Sequence, residues 1–173
     1  MWRLTPDGDR LCTTPHLRFL SVLRATLGAV DVTTREVEAI PRENLKVPRG
    51  EFVAVWREAE RLCDERKGGR PGGGWYAAGV AITCRWIATA SVVFNYPHGP
   101  RSQPAFAPIT QRTARAHEEL IEAECLAAER EAIRHPNGIE SEPGWLEAVV
   151  ATLNWVWRGS GVPPLEVRPA AAG

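Results

Sequence analysis

The sequence predicts an all-α protein: a bundle of about five helices, with a small β-hairpin at the N-terminus. Three observations carry this expectation. Apolar residues recur at three- and four-residue spacing in several segments. Those segments are bounded by capping residues, prolines and glycines in the order that helix ends require. No internal repeat or composition break divides the 173 residues, so residues 1–162 read as one domain and 163–173 as an extended tail.

The expected hairpin covers 1–13. Its Pro6-Asp7-Gly8 turn would set Trp2 and Leu4 across from Leu11. A helix over about 14–28 follows, capped by Thr14 and opened by Pro15, with Leu17, Leu20, Arg24 and Leu27 at helical spacing and Leu23 and Val30 widening the apolar stripe. Residues 31–50 form a connector. Thr33 or Thr34 caps one short turn there, and Pro41, Pro48 and Gly50 forbid a continuous helix. The next helix, about 51–66, buries Phe52, Val55, Trp56, Ala59, Leu62 and Cys63 and shows its charged residues on the other face.

A glycine-rich loop leads into the third long helix, expected at 75–93 and apolar nearly all round except for Arg85. Residues 95–109 hold four prolines and a glycine and read as a long surface loop or a hinge. A helix over 110–134, capped by Thr110, lines one face with Ile121, Cys125, Ala128 and Ala132. The last helix, 143–158, is capped by Ser141 or Glu142 and opened by Pro143. Leu146, Val149, Val150, Leu153, Val156 and Trp157 face inward.

Charge narrows the functional classes. The net charge is zero, which opposes general nucleic-acid binding. Between residues 66 and 117 there is no Asp or Glu against seven Lys and Arg, while 118–173 carries ten Glu against four Arg. The split is expected to reflect mutual neutralisation of the two segments, the alternative being a basic surface for an external anion. The four cysteines form no metal or redox spacing, and the first residues lack the pattern of a secretory signal. The cysteines are therefore expected as reduced, buried small hydrophobes in a cytoplasmic protein.

The glycine loop invites a phosphate-binding reading. Lys67, Arg70, Gly73 and Gly74, joined by Arg101, Arg112 and Arg115, would hold a small anionic ligand at a helix start. No Gly-Lys-Ser/Thr closes the loop and no strand precedes it, so neither nucleotide fingerprint is met. The apolar run after it is long enough to span a membrane. It is rich in Ala, Gly, Thr and Ser, however, and Arg85 sits midway at a cost of about 2.5–3.5 kcal/mol, so no membrane span is expected. In a soluble bundle Arg85 must be paired, and Glu118 and Glu122 are the expected partners.

No metal site or cofactor is expected, because no Glu-x-x-His set occurs. No nucleophile has a partner evident in the sequence, and Ser160 lacks the Gly-x-Ser-x-Gly turn. The expectation is a non-enzymatic protein–protein interaction module, an accessory or regulatory subunit acting by surface presentation. Its partner would be another protein or a second copy. With seven tryptophans in a small domain, Trp155 is the expected exposed anchor, and Tyr96 and Phe106 flank the proline-rich loop as further contacts. The alternative is an enzyme or sensor for a phosphorylated ligand at the glycine loop.

Overall fold

The computed structural model describes residues 32–67, 74–96 and 98–167. The expected hairpin at 1–13, the helix at 14–28 and most of the glycine loop lie outside the described residues. Within them the chain is mostly helical, with one small antiparallel sheet.

Helix α1 (Thr34–Ala39) is the short turn expected in the connector. Thr33 caps it with a complete capping box. Thr33 Oγ1 accepts from Glu36 N at 3.3 Å, and Glu36 Oε2 accepts from Thr33 N at 3.0 Å. A 3₁₀ turn (Arg42–Asn44) follows and buries Asn44. Its Nδ2 donates to Ile87 O at 2.9 Å and to Ala116 O at 3.1 Å, so the connector is pinned to two distant segments. Lys46 N donates to Val156 O at 2.8 Å and ties it to a third.

Helix α2 (Arg49–Lys67) buries Phe52, Val53, Val55, Trp56, Ala59 and Cys63. Helix α3 (Gly74–Ile87) is buried at every position from Ala77 onward. It packs against α2 on one side and α5 (Trp145–Val156) on the other, which makes it the central element. The approach of α3 to α5 is close at Gly79. A Cβ there would lie 2.7 Å from Trp145 O and 2.9 Å from Ala148 Cβ. The buried hydroxyls in this seam are satisfied internally: Thr83 Oγ1 donates to Gly79 O and Thr152 Oγ1 to Ala148 O, each at 2.7 Å.

Helix α3 does not run on to residue 93. Thr89 N donates to Trp86 O and Ala90 N to Arg85 O, both at 2.9 Å, the pairing of a Schellman stop. Thr89 occupies the left-handed position at φ 54°, where glycine is usual. The chain then enters strand β1 (Ser91–Tyr96), which pairs antiparallel with β2 (Gly99–Pro104), so part of the expected surface loop is a hairpin.

Helix α4 (Glu118–Arg134) begins later than expected. Thr110 does not cap it, because its backbone N and Oγ1 both donate to Glu124 instead, at 3.0 and 2.6 Å. Ile109 N donates to the same carboxylate. The buried Glu124 thus anchors the irregular segment 105–117 from below. Helix α5 opens at Gly144 rather than at Ser141 or Glu142. Gly144 is its N-cap at φ 82°, a conformation that excludes most side chains. Pro143 is therefore not the first helical residue. Helix α4 packs on α5, giving the order α2, α3, α5, α4 across the described residues.

Candidate interaction surface

Arg85 is buried, at 3% exposure, and paired. Its partner is Glu60 on α2, not Glu118 or Glu122. Arg85 Nε donates to Glu60 Oε1 at 2.6 Å, and Nη2 donates to Oε2, a two-pronged contact. Trp56 Nε1 donates to the same carboxylate at 2.8 Å. The correction follows from helix order. Helix α5 lies between α3 and α4, so the α4 glutamates do not meet Arg85. Glu122 instead accepts from Trp157 Nε1 at 2.9 Å and from Arg158 at 3.2 Å, and Arg158 also reaches Glu129 at 2.7 Å. Glu118 is exposed in the first turn of α4, where a negative charge suits the helix dipole.

Among the described residues of the expected anion-binding set, Arg115 does not stand at the start of α3. Gly74 is the first residue of α3 and is buried; Lys67 closes α2 in the helix assignment; Arg70 and Gly73 lie outside the described residues. Arg115 sits at the opposite end of α3. Its neighbours Ala114 and Ala116 accept from Trp86 Nε1 at 3.2 Å and Asn44 Nδ2 at 3.1 Å, beside Ile87. Fourteen helical residues separate these ends by about 20 Å. Arg112 is exposed in the same segment, and Arg101 is exposed on β2.

Trp155 is not an exposed anchor: it is 3% exposed. Helix α5 is covered on two sides, by α3 and α4, so its buried arc is wider than a single stripe. Among the described tryptophans, Trp56, Trp86 and Trp145 are also buried, and Trp75 and Trp157 are half-buried. Trp157 is the most functionalised of these. Lys46 Nζ stands 4.5 Å from its ring centroid while Glu122 takes its N–H. Phe106 is half-buried and packs against the core, and Tyr96 ends β1 opposite Gly99.

The exposed apolar surface lies elsewhere. On α4, Leu126 is 42% and Ile133 is 80% exposed. They stand seven residues apart, two turns along one face, with Arg130 exposed between them. One helical step from Ile133 opens a groove of about 550 Å³ between the end of α4 and the start of α5. Ala132, Pro136, Leu146, Val150 and Ala151 give it an apolar floor, and His135 and Glu147 stand among its walls. Leu126 and Ile133 are not among the expected contacts; the signal for them lies in their placement off the Ile121, Cys125, Ala128 face.

The titratable groups offer little poised chemistry. Burial pushes the Cys84 thiol well up and the Cys125 thiol to about 11, which keeps both protonated at neutral pH. Burial first, and then Glu147, raises Tyr76. Glu119 is held low by its own backbone N–H and then by His117, whose Nδ1 lies 2.6 Å away. Among the described residues no group of three or more His, Cys, Asp or Glu is placed to hold a metal ion, and no helix is long and apolar enough to cross a membrane. No family model, no curated protein and no solved structure matches this chain.

Proposed function

We propose that this protein is a protein–protein interaction module, an accessory or regulatory subunit that works by presenting the outward face of α4. The observation that carries the reading is the Leu126–Ile133 stripe beside the apolar groove. An isoleucine at 80% exposure, aligned with a second exposed apolar residue and an adjoining concavity, is more than scattered surface apolarity. A partner helix or loop would place an apolar side chain in the groove and cover Ile133, with Arg130 and Glu147 at the rim supplying orientation. The raised thiols of Cys84 and Cys125 support a structural rather than nucleophilic use of the cysteines.

The test is affinity capture from the native host with the wild type and with a Leu126→Asp, Ile133→Asp double variant. The wild type should retain one stoichiometric protein that the variant loses, while the variant's helical circular dichroism stays unchanged. Equal recovery by both proteins would sink the assignment of this face.

A further inference from the structure

Ile82 is 6% exposed, yet it stands outside the apolar cluster that the other buried apolar side chains of the described residues form. Its cover comes from outside that cluster. Along α3, Gly79 marks the line that meets α5 and Arg85 the line that meets Glu60 of α2. Ile82 lies between them, about 60° round the helix from each. It therefore points into the cleft that α2 and α5 leave over α3, and these two are the helices that pack on α3 among the described residues. The α2 wall of this cleft is the stripe Val53, Arg57, Glu60 and Asp64, joined to α3 by the Glu60–Arg85 pair. Val53 is 6% and Glu60 4% exposed, so this wall is closed to solvent as well.

We infer that residues 14–28 of this chain lie as a helix along this cleft, with Leu20 and Leu23 over Ile82. The place where the described chain begins selects the occupant. Val32 is buried in the core, and its carbonyl accepts from Arg57 Nη2 at 3.4 Å. The residues before it therefore start from the α2 wall of the cleft. Helix α2 ends at Lys67 and α3 begins at Gly74, and so short a connection sets the two antiparallel. With Glu60 opposite Arg85, Ile82 stands level with Cys63, about 9 Å along α2 from Arg57. A helix over 14–28 is about 22 Å long and passes that level near its middle, at the turn that holds Leu20 and Leu23. Leu17 and Leu27 extend the same apolar face. Its charges are Arg18 and Arg24 with no Asp or Glu, and the α2 wall ends in Asp64. Residues 68–73, 97 and 168–173 contain no apolar side chain larger than proline, so they cannot fill the cleft. This surface is separate from the outward face of α4 and does not rest on the α4 reading.

The experiment is hydrogen exchange read by mass spectrometry on the full chain, paired with urea unfolding. In the wild type, residues 14–28 should exchange at least about a hundredfold more slowly than an unstructured segment. The Leu20→Asp, Leu23→Asp double variant should erase that protection and speed exchange in α2 and α3, while α4 keeps its own. A milder cycle decides the matter if that variant does not fold. Ile82→Ala should lower the folding constant at least about tenfold in the wild type. In a Leu20→Ala, Leu23→Ala background it should lower it far less, because the contact is already gone. Residues 14–28 that exchange freely in the wild type overturn the inference. So does a double variant whose faster exchange falls on α4 in place of α2 and α3. An Ile82→Ala effect that is equal in both backgrounds, or that is coupled to Phe94→Ala instead, overturns it as well.

Discussion

The seam between α2 and α3 and the outward face of α4 handle their awkward residues in opposite ways. In the seam, one arginine stands in an otherwise apolar helix, and the fold answers it twice over, with both oxygens of Glu60 and with Trp56 holding that carboxylate. On α4, two large apolar side chains stand in solvent and no described residue covers them. A buried unpaired charge would cost several kcal/mol, whereas an exposed isoleucine costs almost nothing. The fold must therefore resolve the first internally and is free to leave the second for something outside. Internal closure marks what holds the molecule together, and the unanswered apolar face marks what it can offer.

The largest expected effect breaks the closed side. Arg85→Ala leaves Glu60 buried without its counter-charge and should lower stability by about 3–5 kcal/mol, read from urea denaturation. The comparison is sharpened by the double variant Arg85→Met, Glu60→Leu. Removing both charges together should restore part of that loss, because the pair's net worth is small once desolvation is counted, and what is left reflects the Trp56 N–H deprived of its acceptor. If the double variant is as unstable as Arg85→Ala, packing rather than charge governs the seam.

A smaller effect is expected nearly two turns away, where α3 meets α5. Gly79→Ala places a methyl 2.7 Å from Trp145 O, a backbone atom that cannot swing aside. The helices must separate, at a cost of about 1–3 kcal/mol, even though alanine is the better helix former. A thermal-unfolding comparison checks the sign: stabilisation by Gly79→Ala would show that the two helices are not in close contact.

How much of this was legible from the residues varies with the physics involved. The short helix α1 and its cap were readable because Thr33 and Glu36 stand at capping-box spacing. The need for Arg85 to be paired was readable because a lone charge in an apolar run has few alternatives. Its partner was missed because α2 was read as a buried stripe opposite a uniformly charged face. Glu60 lies four residues from Trp56 and beside Ala59, on the edge of the stripe, and that spacing was the available signal. The hairpin was missed because "ATASVVF" has the apolar content of either a helix or a strand, and the helix stop at Thr89 lacks its usual glycine. Val92 and Val93 were the β-branched hint. Trp155 was misplaced because packing of α5 on two sides depends on helix order, which periodicity along one helix does not contain. The placement of Arg112 and Arg115 was illegible for a related reason: their segment meets the end of α3 at Trp86 and Ile87, and position along that axis is not written in composition.

The smallest expected effect concerns Glu142, which is buried just before α5 and has its carboxyl shifted by burial alone. Burial raises its pKa above the ordinary carboxylate range, so the folded chain holds that proton more tightly than the unfolded chain does. For a raised acid the sign is unfavourable at neutral pH. The ionised form is destabilised in the fold above the raised pKa, and the penalty disappears as the pH falls below the ordinary value. Glu142→Gln removes the titration. The variant should therefore be the more stable protein at pH 7, by a margin that shrinks as the pH falls through the carboxylate range toward about 4. Urea midpoints for the two proteins at both pH values decide it. A margin that grows on acidification would mean that Glu142 is answered by a positive group, in the manner of Glu60, and would erase the contrast between a carboxylate the fold has paired and one it has only buried.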